Sequence, residues 1–390
     1  MEGDFIRINK WLLPLSWLYG LAVRARNALF DLGVLKSESF GVPVISVGNI
    51  TVGGTGKTPH VEYLIGLLRH KCRVAVLSRG YKRKSRGYLV ADGNATARTI
   101  GDEPYQMKQK YPDITVAVDR DRRHGIRRLT EDNSEKGVDV VLLDDAFQHR
   151  YVKPGINILL VDYHRLIIYD KLLPAGRLRE QPSGKNRADI VIITKCPADL
   201  KPMEFRVITK AMDLYPYQHL YFTRLDYGNL QPLDGGEPLG LETLGRQKHI
   251  VLLTGIASPR QMMLDLAPLC PNITPLTFAD HHNFTAGDAE LINRTFEATP
   301  EPRLIITTEK DAARLKGLQG LDDSVRKAIY VLPVSIRFML DQEDNFNENI
   351  IGYVRKNSRN SILAKAKDDD KPKDSDNTGH RTGPISFRNN

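Results

Sequence analysis

A glycine-rich turn, bracketed by an apolar strand and the start of a helix, limits the fold of this chain more than any other segment. The strand is predicted over 44–50 and the turn over 51–58, and Pro59 follows at the first helical position, where its fixed φ fits. Glycines allow neighbouring backbone N–H groups to converge, and the helix N-terminus adds partial positive charge at the same point. This order of strand, turn and helix predicts a phosphate-binding loop.

The loop carries the two side chains that phosphate chemistry requires. Lys57 is expected to reach the transferred phosphate, and the hydroxyl of Thr58 is expected to ligate Mg²⁺. Thr51 replaces the usual first glycine, and the remainder resembles the GGxGK(S/T) loop of partition ATPases and metal chaperones, although Val52 stands where that branch commonly has lysine. The residues expected to bind the nucleotide are Thr51, Val52, Gly53, Gly54, Thr55, Gly56, Lys57 and Thr58.

A second apolar strand, predicted over 138–143, ends in the paired acids Asp144 and Asp145. Proteins with a phosphate-binding loop need an acid at the end of a neighbouring strand to hold Mg²⁺. Because adjacent residues on a strand point to opposite faces, one acid is expected to ligate the metal while the other orients a partner. The sequence therefore predicts a magnesium site beside the loop.

Strand-like and helix-like segments alternate through the first half of the chain, and a second set of α/β signals begins near residue 249. Continuous apolar strands separated by helices predict a doubly wound parallel sheet of the P-loop NTPase type. The last residues have almost no apolar content. The predicted segments are an N-terminal interfacial helix over 1–40, a P-loop domain over 41–205, a linker compatible with a β-hairpin over 206–247, a smaller α/β domain over 248–356 and a disordered tail over 357–390.

The net charge of +9 indicates an anionic partner, and basic residues concentrate in two runs, 71–86 and 120–128. Neither run is interleaved with the aromatic residues typical of a single-strand-binding surface, so no nucleic acid partner is expected. A solvated basic face is the plain alternative. The three cysteines form no CxxC pair, which argues against a disulfide framework or a zinc cluster and favours a reducing, cytosolic setting.

The N-terminal segment 11–23 is strongly apolar but shorter than the ~20 residues needed to cross a bilayer. Trp11, Trp17 and Tyr19 are residue types that favour a membrane interface, and Arg24 and Arg26 suit lipid headgroups. We therefore predict a monotopic helix on the cytosolic leaflet. A helix packed on the protein's own core is the alternative, and a cleaved signal is disfavoured because no small-residue cleavage site follows.

Several blocks of sequence, taken together and in order, are more specific than the loop alone. The chain resembles the tetraacyldisaccharide 4'-kinases of lipid A biosynthesis over roughly residues 5–340. This resemblance implies transfer of the γ-phosphate of ATP, with Mg²⁺, to the 4'-hydroxyl of an acylated disaccharide 1-phosphate at the cytosolic face of a Gram-negative inner membrane. The blocks that carry it are 13–20, 46–59, 77–81, 101–104, 143–149, 173–180, 278–282 and 308–312.

The resemblance also implies roles for individual residues. Asp102 corresponds to the catalytic acid, which accepts the hydroxyl proton, and His281 to the histidine that positions it. Glu180 joins Thr58, Asp144 and Asp145 as a candidate in the metal shell. Ala146 departs from the glycine that many members have after the paired acids, which adds only a methyl group. The site residues without an assigned role are Arg79, Tyr81, Gln148, His149 and Arg179.

Two other classes of protein are alternatives to a lipid kinase. A switch or partition-type ATPase would use the same loop, with a protein partner in place of the lipid; Val52 and the aromatic N-terminal helix count against it. A non-catalytic membrane adaptor would not need the intact set Lys57, Thr58, Asp102 and Asp144. No protein partner is implied by the kinase interpretation.

Overall fold

The structure is a computed structural model that describes residues 6, 8–131, 137–245, 248–256, 259–280 and 282–357. Within these residues the strands form one sheet of nine strands and one of five. The large sheet contains β1 (Val44–Gly48), β2 (Val74–Ser78), β3 (Leu89–Val90), β4 (Thr115–Val118), β5 (Val140–Asp144), β6 (Ile156–Asp162), β7 (Ile190–Thr194), β8 (His219–Tyr227) and β14 (Val334–Phe338). The small sheet contains β9 (Gln231–Pro232), β10 (His249–Thr254), β11 (Ile273–Thr277), β12 (Arg303–Thr308) and β13 (Ile329–Leu332).

Helices connect most of these strands. They are α1 (Leu13–Asp31), α2 (Lys57–Leu68), α3 (Ala97–Ile100), α4 (Asp102–Lys110), α5 (Arg122–Glu131), α6 (Pro202–Met212), α7 (Pro259–Leu266), α8 (Ala286–Ala298), α9 (Glu309–Leu315), α10 (Asp323–Lys327) and α11 (Glu343–Asn357). Short 3-10 helices span Lys10–Leu12, Tyr163–Arg165, Pro182–Arg187 and Leu241–Thr243.

The large sheet has the strand order β14-β8-β7-β6-β1-β5-β2-β4-β3. Strands β1, β2, β5 and β7 are buried at every position, which explains why each reads as an uninterrupted apolar run. Strands β5, β2 and β4 lie on one side of β1, and β6, β7 and β8 lie on the other. The carboxyl end of β1 therefore opens into the crevice where doubly wound sheets bind ligands. The predicted doubly wound α/β fold is confirmed.

The segment 206–247, predicted as a linker, contains the end of α6 and two strands in the structure. Strand β8 pairs in parallel with β7 in the large sheet, whereas β9 pairs with β13 in the small sheet, so these two strands do not form the expected hairpin. Strand β8 alternates apolar and polar residues and is only half-buried along its second half. That pattern resembles a loop in sequence, because only one face of this stretch is covered.

The chain also returns to the large sheet after completing the small one. Strand β14, predicted as part of the smaller domain, pairs antiparallel with β8, and α11 follows it. Ile336 of β14 and Phe346, Ile350 and Val354 of α11 are buried in the same core as Ile45 of β1. The small sheet is therefore an insertion between two neighbouring strands of the large sheet.

Helix α1 packs on the rest of the protein along one narrow side. The hydroxyl of Ser16 donates to the carbonyl of Leu172 at 3.0 Å, and the hydroxyl of Tyr19 donates to the carbonyl of Arg179 at 2.7 Å. On the other side, Trp17 is 79% exposed, and Trp11 just before the helix is 93% exposed. Among the described helices, none has the length and apolar character to cross a bilayer.

Substitution of Phe346 tests whether α11 belongs to the domain of the large sheet. Its buried ring lies 4.6 Å from Phe338, 5.3 Å from Tyr221 and 6.0 Å from Tyr63, measured between centroids. Removing it leaves a cavity, so Phe346→Ala should lower the free energy of unfolding by ~3–5 kcal/mol, measured by urea titration. The exposed control Tyr169→Ala should change it by less than ~0.5 kcal/mol.

The same variant identifies the unfolding unit. The unfolding transition that Phe346→Ala shifts should be the one that added ATP stabilises, because the loop predicted to bind its phosphates follows β1 of the same sheet. A shift confined to a transition that ATP leaves unchanged would place α11 with the small sheet instead.

Candidate active site

The loop between β1 and α2 has the conformation that its glycines allow. Gly53 and Gly56 have φ angles of +119° and +81°, which side chains larger than hydrogen rarely permit. Gly56 is the N-cap of α2, and Lys57 is the first helical residue. The loop therefore presents backbone N–H groups at a helix N-terminus, as the sequence predicts.

Asn49, a residue not among those predicted from the sequence, connects the two ends of the loop. Its buried side-chain amide donates to the hydroxyl of Thr51 at 3.4 Å and to the hydroxyl of Thr55 at 2.9 Å. The signal available in the sequence is a polar residue at the end of an apolar strand, shortly before the glycines of the turn. Such a residue is costly to bury unless it makes hydrogen bonds.

The paired acids lie beside the loop. Val47 of β1 is opposite Asp144 of β5 in the parallel register. The ammonium of Lys57 is 3.6 Å from the nearer carboxylate oxygen of Asp145, whose left-handed backbone (φ +48°) turns the chain at the strand end. The structure thus brings Lys57 and both acids into one crevice.

Asp144 is almost completely buried. The hydroxyl of Ser78 donates to its Oδ2 at 3.1 Å, while its Oδ1 has no hydrogen-bond partner among the described residues. Burial and the nearby Glu103 and Asp145 raise the pKa of Asp144 to about 7, and Lys57 opposes the rise. A buried carboxylate oxygen without a partner, next to a second acid, fits a site for a divalent cation.

Arg122 is a further residue of the site, although the sequence marks it only as part of the basic run 120–128. It is 2% exposed and donates to the carbonyls of Asp144, at 3.3 Å, and Asp119, at 2.9 Å. Burial lowers the pKa of Arg122 to about 10, Asp144 and Asp145 oppose the shift, and Arg79 adds to it. The charges of Arg79 and Arg122 therefore act on the same pocket as the paired acids.

Arg179 contacts both the start of the loop and Asp145. Its backbone N–H donates to the carbonyl of Ile50 at 2.8 Å, and its guanidinium is 3.8 Å from Asp145 and donates to the side chain of Gln148 at 3.4 Å. Through its carbonyl it also accepts from Tyr19 of α1. Arg179 and Gln148 are thus brought to the loop, and α1 is tied to the same place.

Glu180 is buried, and both of its oxygens have partners. Arg187 donates to one at 2.8 Å and Asn27 of α1 donates to the other at 3.2 Å. Among the described residues no three acidic, histidine or cysteine side chains form a group that could hold a metal. In this structure Glu180 therefore fixes α1, and its place in the metal shell stays a prediction.

The remaining residues without an assigned role occupy different environments. His149 is half-buried with its Nε2 4.0 Å from Asp121, and burial together with Arg122 lowers the pKa of His149 to about 4. It is therefore neutral at pH 7. Tyr81, after β2, is 58% exposed.

Asp102 is the first residue of α4. It forms an ion pair with Arg314 of α9, the helix that follows β12 of the small sheet. His281 lies outside the described residues. Its neighbour Asp280 pairs with Lys310 at 3.1 Å, and Lys310 and Arg314 are four residues apart on α9, which places them on one face of the helix. Helix α9 thus contacts both Asp102 and Asp280.

A family model described as tetraacyldisaccharide-1-P 4'-kinase matches residues 8–355 of the chain. The chain is 59% identical over 363 residues to the tetraacyldisaccharide 4'-kinase of Phocaeicola vulgatus, covering 93% of this chain and 99% of that protein. It is 54% identical over 373 residues to that of Bacteroides thetaiotaomicron, covering 93% and 98%.

A solved structure agrees with these relatives. The crystal structure of LpxK from Aquifex aeolicus in complex with ATP superposes with a TM-score of 0.66 at 30% identity, covering 88% of this chain and 98% of that one. The region matched by the family model, residues 8–355, includes the strands of both sheets and the phosphate-binding loop. The chain belongs to the tetraacyldisaccharide 4'-kinase family and is an ATP-dependent kinase.

Proposed function

We propose that this kinase transfers the γ-phosphate of ATP to the 4'-hydroxyl of an acylated disaccharide 1-phosphate, a lipid A precursor. The observation that carries the proposal is the meeting of Lys57, Asp144 and Asp145 at the carboxyl end of β1. The exposed apolar side of α1 is tied to that crevice through Tyr19 and Asn27. A donor site and an apolar surface for an acylated acceptor are therefore adjacent.

The residues beside the loop suit the electrostatic work of phosphoryl transfer. Lys57 neutralises charge that builds on the γ-phosphate, and Arg79, Arg122 and Arg179 add positive charge around the pocket. Thr58, Asp144 and Asp145 would hold Mg²⁺, which supplies further neutralisation of the phosphate oxygens when bound. Glu180 would join them only if its contacts to Arg187 and Asn27 were exchanged.

Asp102 is proposed as the group that accepts the proton of the 4'-hydroxyl, with His281 positioning it. The hydroxyl oxygen forms a bond to the γ-phosphorus as the bond from that phosphorus to the β–γ bridging oxygen breaks. ADP leaves with the bridging oxygen, and the proton passes to the carboxylate of Asp102. Asp102 and Asp280, the residue before His281, both form ion pairs with α9. These contacts support a shared site for Asp102 and His281.

An acceptor assay tests the function. The purified protein should transfer labelled γ-phosphate to a disaccharide 1-phosphate lipid, detected by thin-layer chromatography. Lys57→Ala should slow transfer by ~10²-fold or more, because one electrostatic stabiliser of the transition state is lost. The exposed control Lys327→Ala, on α10, should keep the normal rate. Hydrolysis of ATP without any labelled lipid would contradict the proposal and favour a switch ATPase.

The role of Asp102 has its own test. Asp102→Asn removes the proton acceptor and should lower kcat by ~10²–10⁴-fold, the range typical of general base catalysis, with little change in KM for ATP. The control is Asp113→Asn, an exposed acid just beyond the same helix that pairs with Arg69 at 3.3 Å. Equal activity of the two variants would exclude Asp102 from the chemical step.

We further propose that α1 rests on the membrane surface that holds the lipid acceptor, at the cytosolic face of the inner membrane of a Gram-negative bacterium. Trp11, Trp17, Leu18 and Leu21 are each at least 65% exposed. Exposed Lys10, Arg24 and Arg26 lie on or next to the same helix, where they would meet anionic headgroups.

Charge placed on this face should detach the protein from membranes. The double variant Trp11→Glu/Trp17→Glu should reduce co-sedimentation with phosphatidylglycerol vesicles by at least ~10-fold, because each apolar side chain buried in lipid contributes ~1.5–3 kcal/mol. The matched control is Met203→Glu/Val207→Glu, on the exposed apolar side of α6. Equal losses in both double variants would reduce the effect to net charge and contradict a specific role for α1.

A further inference from the structure

Three consecutive carbonyl groups of the phosphate-binding loop each accept a hydrogen bond from a side chain outside the loop. Two of the donors are adjacent residues at the end of β7, and the third lies in the first turn of α2. The carbonyl of Gly54 accepts from the ammonium of Lys195, that of Thr55 from the hydroxyl of Thr194 at 3.0 Å, and that of Gly56 from Nδ1 of His60 at 2.7 Å. We call Lys195, Thr194 and His60 the loop clamp.

These contacts determine where the loop's N–H groups point. In a trans peptide the carbonyl of one residue and the N–H of the next are antiparallel, and the loop peptides are trans. Anchoring the carbonyls of Gly54 and Thr55 to the clamp therefore turns the N–H groups of Thr55 and Gly56 the opposite way. No described residue accepts a hydrogen bond from these two N–H groups. They are available for an anion.

Lys195 is held firmly enough to serve as an anchor. It is 9% exposed, and its ammonium also pairs with Asp162 of β6 at 2.8 Å. Burial opposes ionisation of Asp162, but hydrogen bonds from His164 and Lys195 outweigh it and lower the pKa of Asp162 to about 2. Lys195 has a left-handed backbone (φ +58°), which costs a residue with a side chain ~1 kcal/mol. The strain is maintained at the point where the ammonium reaches the loop.

His60 connects the loop to β8, the strand next to one edge of the large sheet. Because a carbonyl only accepts, Nδ1 carries the hydrogen that bonds to Gly56, and Nε2 accepts from the hydroxyl of Thr223 on β8 at 3.0 Å. Burial lowers the pKa of His60 to about 4, so this neutral form persists at pH 7. Thr223 itself is completely buried. The carbonyl of Gly56 is thereby connected, through His60, to β8, which is separated from β1 by two strands of the sheet.

We propose that Lys195, Thr194 and His60 are positioning residues that hold the loop in its phosphate-binding conformation before ATP arrives. The inference rests on the loop being the site of the nucleotide phosphates. Without the clamp, the peptides can rotate and turn their carbonyl oxygens toward the phosphate, where like charges repel. Preorganisation of this kind increases affinity by removing an ordering cost from binding.

Calorimetric titration with ADP and with AMP tests the clamp in the full chain. Lys195→Met keeps an unbranched apolar stem and Thr194→Val keeps the shape, while each removes one donor. Each should weaken ADP binding by ~10-fold, with a smaller effect on AMP, because AMP lacks the β-phosphate and uses only part of the cradle formed by the loop's N–H groups. Lys195→Arg and Thr194→Ser, which restore a donor, should recover most of the affinity.

The matched control is Lys185→Met. The ammonium of Lys185 also donates to two backbone carbonyls at the end of α6, those of Met212 at 2.5 Å and Asp213 at 2.6 Å, but it does not contact the loop. This variant should bind ADP normally. Unchanged ADP affinity in Thr194→Val, or equal losses in the Lys185 and Lys195 variants, would overturn the proposal.

The wild-type protein distinguishes a failure of the proposed function from a failure of the clamp, and melting temperatures distinguish positioning of the loop from stability. Normal ADP binding in the wild type without phosphate transfer to the lipid would contradict the acceptor assignment and leave the clamp intact. If Lys195→Met fails to fold, Thr194→Val still decides, since its melting temperature without nucleotide should stay close to that of the wild type. A loss of ADP affinity that merely follows a lower melting temperature would overturn the clamp as a device for positioning.

Discussion

The parallel pairing of β1 with β5 is the constraint on which the rest of the site depends. Val47 lies opposite Asp144, so the strand that enters the loop and the strand that carries the acids end at the same level. Both strands are buried on both faces. A shift of one residue would move Asp144 to the opposite face of the sheet and away from Lys57, so the packing of apolar side chains fixes the polar geometry.

The sequence predicted what is encoded locally. The strands predicted over 44–50 and 138–143 correspond to β1 (Val44–Gly48) and β5 (Val140–Asp144), and the loop could be located because glycines, lysine and threonine lie close together in the sequence. Asn49, Arg122 and Lys195 were missed because their roles depend on partners that folding supplies. Lys195 and Gly54 are 141 positions apart, and no local pattern marks a lysine that ends a strand as an anchor for a distant carbonyl.

The insertion of the small sheet explains why β8 and β14 were not predicted as part of the large sheet. Strands β8 and β14 are neighbours in the large sheet, yet the whole small sheet lies between them in the chain. Two short connections therefore hold it, together with ion pairs to α4: Arg314 with Asp102, and Lys110 with Glu309 at 2.9 Å. The helix that begins with Asp102 is thus a point of contact between the large domain and the inserted small sheet's helix α9.

Asp144 shows how the fold accommodates a destabilising feature. An unpartnered polar atom in a buried position costs ~1–3 kcal/mol, and the pKa of about 7 expresses the same penalty on the charged form. Ser78 satisfies only one of its two oxygens. A neutral side chain at this strand end would avoid the cost of charging a buried carboxylate, whereas a carboxylate oxygen that lacks a partner attracts a cation. The local cost is understandable if binding, and not stability of the free protein, determines the residue at this position.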